Sequence, residues 1–250
     1  MKFSRYKIIS VITILVLLLI WYLLTNNQPR SSELLFPSLN SIVSTLKSHY
    51  IVIFEYTLIT WHRVIIGLLI GAILGILFGI LITWNRYFEA IIDPIIEIIR
   101  PIPPIALTPF FILWFGLGNM GQFLLIALGC FMVVVVSTVT AINNVNVVYI
   151  RAAKSLGANT IDIYRTILIP AILPTLSSAI RVSAATGFGL TVAAEYLGAQ
   201  GGLGYLIRNA RVTLNTDTIL LAAILLGLLS LLTDFIIRKL FTYLTRWNNV

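Results

Sequence analysis

The sequence predicts an all-α integral membrane protein with about six transmembrane helices, and three observations carry that prediction. Apolar residues make up 59% of the 250 positions and charged residues only 10%, against about 45–50% and about 25% in a soluble domain. Mean hydropathy is +1.00, more apolar surface than one aqueous core can hide, so lipid is the solvent. Apolar runs near the ~20 residues needed to cross ~30 Å of hydrocarbon recur along the chain. The 17 Lys and Arg residues are scattered singly, in segments that flank those runs, as topology signals are.

The first run, 8–24, follows Lys2, Arg5 and Lys7 and precedes Thr25-Asn26-Asn27-Gln28. Those residues offer no small-residue cleavage site, so the run reads as an uncleaved anchor helix and not as a signal peptide. Five further spans are predicted at 63–83, 103–118, 122–141, 171–194 and 217–238. Pro101, Pro103, Pro104 and Pro109 crowd the third, which neighbouring helices must shield at membrane depth. Before the second span, Leu39, Ile42, Val43 and Leu46 recur at helical spacing after the cap candidate Ser38. They predict a short amphipathic helix on the outer surface. The expected organisation is an N-terminal anchor and surface helix over 1–57, a transmembrane domain over 58–241, and a tail over 242–250.

With both termini inside, the inner segments hold Lys2, Arg5, Lys7, Arg86, Arg100, Arg151, Lys154, Arg165, Arg238, Lys239 and Arg246. The outer segments hold Arg30, Lys47, Arg63, Arg208 and Arg211, leaving Arg181 within a span. Eleven against five favours this orientation.

Several function classes are excluded on chemical grounds. The net charge of +8 has no dense basic face behind it, which argues against a nucleic-acid partner. The lone Cys130 forbids an internal disulfide. His49 and His62 lack the companions of a metal site. "GLGNMG" at 116–121 matches a dinucleotide pattern, but its flanks are membrane spans and no acidic residue lies near position 141. It reads as a turn. The chain has no P-loop, no H-E-x-x-H and no G-x-S-x-G. It is therefore expected to be no enzyme, with no catalytic residue, no metal and no cofactor of its own.

Gly67, Gly71, Gly75 and Gly79 fall on one face of the second span. Such a stripe lets another helix approach closely, so its expected role is packing.

The segment "RAAKSLGANTIDIYRTILIP", 151–170, interrupts the apolar chain. A helix over 147–156 is expected to end on Gly157 as a left-handed cap. Asn159 then caps a second helix, with Asp162 as capping-box partner. Ile163, Tyr164, Ile167 and Leu168 share one side of it, and Pro170 and Pro174 mark the start of the next span. The connection of about 30 residues exceeds the usual 2–8, and ordered loops of this kind carry function. A compact knob between two spans suits docking into a partner's groove.

Ala152-Ala153, Gly157, Ile167 and Pro170 resemble the EAA loop, E-A-A-x3-G-x9-I-x-L-P, of permease subunits in binding-protein-dependent ABC importers. Arg151 stands where that pattern has Glu, which removes an acidic contact, and Ile169 where it has Leu. The resemblance runs from about 35 to 245. "LFPSLNSIVSTL", "DPIIEIIRPIPPIALTPFFILWFGLG" and "AAEYLGAQGGLGYLI" are similar to the nitrate, sulfonate and taurine branch.

The resemblance implies a type I importer permease in a bacterial cytoplasmic (inner) membrane. It implies a second permease copy, two ABC ATPase subunits that bind ATP and Mg and receive the loops, and a periplasmic or extracellular substrate-binding protein. Arg151, Ala152, Ala153, Gly157 and Pro170 are then the coupling residues. Arg181, at mid-span where a charge costs roughly 2.5–3.5 kcal/mol, is a candidate for meeting an anionic solute; snorkelling inward or pairing with Glu97 across helices is its structural alternative. Glu195 and the Gly198–Gly204 turn are candidates for the outer gate, and Pro103 and Pro104 for bending helices around the path. The "LTRW" tail and "RAAKSLGA" lean towards taurine or alkanesulfonates as cargo. Nitrate, bicarbonate or a thiamine precursor are the alternatives, with an ATPase-independent channel or secondary carrier as the different-class reading.

Overall fold

A computed structural model describes residues 2–25 and 36–246, with side chains from Ile8 onward. Arg30 and the last four residues of the tail lie outside the described residues. Those described form helices joined by short turns, with no strand among them.

Five helices are long and apolar enough to cross a membrane: α1 (Lys2–Thr25), α3 (Tyr50–Trp84), α6 (Asn119–Asn143), α9 (Ile169–Gly198, continuous with the turn before it) and α11 (Thr216–Leu244). The third predicted span is not one helix. Its apolar length is shared between α4 (Arg86–Ile99) and a segment made of a 3-10 turn (Pro104–Leu107) and α5 (Thr108–Phe115), bent by 83° from α4. Pro101, Pro103 and Pro104 supply no N–H where the helix would continue, and the residue before a proline avoids the helical region. The predicted single helix over 103–118 therefore breaks, and the bent pair counts as at most one span.

The centre of the bundle is the α3–α6 contact. An added Cβ on Gly67 would lie 2.5 Å from Ile126 Cγ2, and one on Gly71 2.5 Å from the Ala127 carbonyl oxygen. Gly75 would meet Val134 at 2.8 Å and Gly79 would meet Thr138 at 2.6 Å. The register advances four residues on both helices together, so the two run parallel. Close-packed backbones replace side chains along this seam, as in small-residue membrane interfaces. Antiparallel α9 closes the other side of α6, where Gly187 lies 3.3 Å from Cys130 Sγ by the same construction.

At one end of the bundle, α2 (Leu39–Ser48) is capped by Ser38, whose hydroxyl accepts from Ser41 N at 3.2 Å. Ser41 Oγ donates to Asp217 Oδ1 at 2.8 Å, tying α2 to the start of α11. Ile42 is buried with Ile53 and Leu221, and Trp21 of α1 packs against them. The short α10 (Leu203–Val212) lies at the same end. α3 begins 13 residues before the predicted span, so the expected junction at 57/58 falls inside a helix, and α11 likewise runs through 242–244. At the opposite end lie α7 (Val147–Ser155) and the one-turn α8 (Thr160–Ile163).

Candidate functional site

The α7–α8 knob is built by its caps. Asn146 Oδ1 accepts from Val148 N at 2.9 Å to start α7. At its end Gly157 has φ +83°, its N–H donates to Lys154 O at 3.0 Å, and Ala158 N donates to Ala153 O at 3.0 Å. These bonds satisfy carbonyls that the helix end would orphan. Asn159 and Asp162 then cap reciprocally, at 2.9 and 3.2 Å. Every reversal in the knob is thus fixed by hydrogen bonds written into adjacent residues.

Its inner side is seated on the bundle. Ile163, Tyr164 and Leu168 are buried beside Ala141, Ile142 and Phe241, with Ile150, Ala153 and Ala158 packed against them. Tyr164 OH donates to Thr83 Oγ1 at 3.1 Å, and its ring stacks on Trp84 with centroids 4.8 Å apart. The two alanines therefore divide: Ala153 is half-buried inward and Ala152 is exposed. Val148, Ala152 and Leu156 recur every four residues along the outward face, and Leu156 is 88% exposed. Arg151 is exposed and makes no ion pair among the described residues.

Pro170 lies at the start of α9, as expected, but the chain before it is already helical. The chain passes from α8 through a π turn, Tyr164–Leu168, straight into α9, making one helical unit of 39 residues from Thr160 to Gly198. Ile169 N–H reaches back to Tyr164 O. The wider turn lets the chain stay helical past a residue that has no N–H to donate. Pro170 sits half-buried in the first turn of α9.

At the opposite end Glu195 is fully buried, and its carboxylate is the hub of a polar knot. Arg63 Nη1 donates to Glu195 Oε1 at 2.7 Å and to the Gly201 carbonyl at 2.7 Å. Arg63 also reaches Asn119 Oδ1, from Nη2 at 2.8 Å and Nε at 3.2 Å. Thr60 Oγ1 lies 2.9 and 3.0 Å from the two carboxylate oxygens and accepts from Leu203 N at 2.8 Å. Gly204 N donates to Glu195 Oε2 at 2.9 Å. Gly202 has φ +108°, and a Cβ there would fall 2.4 Å from the Glu195 carboxyl carbon. The glycine-rich turn is folded directly over the carboxylate, where no side chain fits.

Arg63 is counted above with the outer segments, at the first residue of the predicted span. It lies instead inside α3, 6% exposed, and it joins α3, α6, α9 and the turn. Glu195 and the glycine-rich turn that contains Gly202 were legible from the sequence; Arg63, Thr60 and Asn119 as its partners were not. The available signal was the charge itself, since a carboxylate beside an apolar run requires a partner of opposite sign.

Arg181 does not pair with Glu97. It makes a two-pronged contact with Asp234 of α11, Nε to Oδ1 at 2.5 Å and Nη2 to Oδ2 at 3.0 Å. Glu97 instead meets Arg100 one turn away, at 3.3 Å. Pro103 is exposed in extended backbone, and Pro104 opens the 3-10 turn close to Gly129 of α6. The structure thus gathers Arg151, Ala152, Ala153 and Gly157 into one knob, sets Pro170 at the start of α9, and leaves Arg181, Glu195 and the two prolines in three separate places.

The family profile described as binding-protein-dependent transport system inner membrane component matches residues 67–246. The taurine transport system permease protein TauC of Escherichia coli (strain K12) is 31% identical over 251 residues, covering 98% of this chain and 91% of that protein. A putative aliphatic sulfonates transport permease protein, SsuC of Bacillus subtilis (strain 168), is 32% identical, covering 94% and 85%. Among solved structures, an inward-facing form of the MetNI methionine ABC transporter superposes with a TM-score of 0.65 at 22% identity, covering 77% of this chain and 97% of that one. That likeness is one of fold. By the extent of the profile match and its identity to these permeases over nearly its full length, the chain belongs to the inner membrane components of binding-protein-dependent transport systems.

Proposed function

We propose that this chain is the permease subunit of an importer for taurine or a related alkanesulfonate, and that two copies form the path. The cargo rests on relatives whose names specify taurine and aliphatic sulfonates. The coupling role rests on one observation: α7 holds Val148, Ala152 and Leu156 outward on a capped knob. An isolated apolar stripe on a rigid support fits a groove on a separate ATPase, where ATP and Mg would bind. Gly157 sets the angle between the arms, and Pro170 with its π turn passes movement into α9. Arg151, exposed beside Ala152, is placed to contact that ATPase with positive charge, the reverse of the family's Glu.

Both termini and the α7 knob face the cytoplasm in this reading. With Arg63 buried in a helix, it leaves the outer tally and the excess of inner Lys and Arg grows. The α2–α10 end then receives the substrate-binding protein, and Glu195 holds the turn that roofs the path. Arg181 lines the path with Asp234 at its side, while Pro103 and Pro104 turn the α4–α5 segment around it.

The test is co-purification with the ATPase and binding protein encoded beside it, reconstituted in lipid. Stimulation of ATP hydrolysis by binding protein loaded with taurine or an alkanesulfonate is expected. Stimulation by nitrate- or bicarbonate-loaded protein alone would replace the cargo. Solute flux through this chain without any ATPase would overturn the coupling role.

A further inference from the structure

Among the described residues one buried side-chain atom lacks a hydrogen-bond partner: Oε1 of Gln122, on a residue that is 5% exposed. An amide oxygen taken out of water without a donor is penalised by its lost hydration, so folded chains rarely keep one. Gln122 lines a cavity of about 10 Å³ where α5, α6 and α9 meet. The helices close tightly on both sides of it. A Cβ on Gly121 of α6 would lie 3.0 Å from the Phe111 carbonyl oxygen, and one on Gly198 of α9 would lie 2.8 Å from Ile112 Cδ1. The packing is dense all round, yet it leaves a space beside the one polar atom that needs a donor.

Size and lining decide what fits there. A single water needs roughly 10–15 Å³ and two to four polar partners. Gln122 Oε1 is one partner, and Thr108 of α5 supplies the second. Thr108 is 1% exposed and lines the same cavity; its hydroxyl donates to Ile105 O at 2.7 Å and keeps lone pairs to accept with. A water donating one O–H to each oxygen satisfies the amide. The other lining residues are apolar or glycine. That lining excludes a hard cation, which takes about six or more oxygen ligands. The volume excludes a solute of several heavy atoms.

We infer that Gln122 and Thr108 hold one buried water, and that this water ties the α5 arm to the rest of the bundle. Among the described residues no direct hydrogen bond joins α5 to α6 or α9. The arm beyond the 83° break is otherwise held by apolar packing, which has no preferred direction. The bridge adds one that does. Gln122 stands one helical turn after Asn119, which accepts from Arg63, and the lining residue Ala194 directly precedes Glu195. The water thus extends the polar knot towards an arm with no polar tie of its own. This site belongs to the single chain and stands independently of cargo and coupling.

The experiment pairs a cryo-EM map of the transporter in lipid nanodiscs, fine enough to show ordered water, with unfolding midpoints of the full chain in detergent. Density is expected about 2.5–3.0 Å from both Gln122 Oε1 and Thr108 Oγ1. A map that resolves waters elsewhere in the bundle and none here overturns the inference. Gln122→Met keeps the side-chain length and removes the amide, so it is expected to lower the midpoint by about 2–4 °C as the bridge is lost. A midpoint that holds or rises would show instead that an unpaired amide had been relieved, and the site would be dry. Thr108→Val should also lower the midpoint, whereas Thr108→Ser, which retains the hydroxyl, should stay closer to the parent. Equal falls for the valine and serine variants would remove Thr108 as a partner and the bridge with it. Replacing sodium by choline in the buffer should change none of these values. A sodium-dependent midpoint that Gln122→Met abolishes would put a cation in place of the water.

Discussion

The two ends of the bundle solve opposite problems. At the Glu195 end every oxygen of a buried carboxylate is occupied, by Arg63, Thr60 and Gly204. At the α7 end the caps are equally complete, but the outward side chains Val148 and Leu156 stay exposed. One end is finished by the chain itself; the other is shaped rigidly and left open. The difference separates residues that hold the fold from residues that await a partner, and substitutions at each should fail differently.

The largest effect is expected at Glu195→Ala. It leaves a buried guanidinium uncompensated, which costs about 3–5 kcal/mol, read as a fall in the unfolding midpoint in detergent. If the knot acts as a unit, adding Arg63→Met should recover part of that loss. An additive double variant would show that the two residues contribute separately and would weaken the contrast between the ends.

Gly71→Val comes next. Its side chain must enter the space between Ala127 and Cys130, and overpacking costs about 1–3 kcal/mol. The same change at Gly227 should leave unfolding of the single chain nearly unaltered, since the site is open. Equal losses at both would remove the distinction between a packed and an open glycine.

Gly157→Ala is expected to cost about 1–2 kcal/mol, the penalty of a left-handed residue with Cβ. No atom lies near the added methyl, so the cost is backbone alone and Gly157→Asn should recover much of it. Coupled ATP hydrolysis should fall with the misaimed knob. Leu156→Asn sits at the bottom of the stability scale, within about 0.5 kcal/mol of the parent, as exposed substitutions are. It should nonetheless weaken ATPase co-purification. A large stability loss there would mean that the outward face belongs to the fold.

The knob was the most legible part of the sequence, because its geometry is local. Asn159, Asp162 and Gly157 act on neighbours within a few residues, and their types state what they do. The spans were legible in number but not in extent. Composition marks the apolar stretch, whereas α3 begins 13 residues earlier, running through an exposed Glu55 and through Thr60, whose hydroxyl meets Glu195. The third span failed because hydropathy is blind to backbone: Pro101 to Pro104 break a segment that is still apolar enough on average to pass for one span. The polar knot and the Arg181–Asp234 pair join residues 132 and 53 positions apart. Charge shows that each needs a partner, but only tertiary packing selects which one.

Asp162, in the knob, and Glu195, under the glycine turn, belong to the same continuous helical unit. At 1.5 Å per residue they are separated by about 50 Å along a single rod. A tilt of about 5° around its middle displaces each tip by roughly 2 Å in opposite directions. That distance is enough to part a hydrogen bond. The π turn and the prolines at 170 and 174 lie near the knob, so any compliance is concentrated there and the remaining length is stiff. A load reaching α9 beyond that joint would be carried to the carboxylate at the other end by the helix itself, without a relay of intermediate contacts.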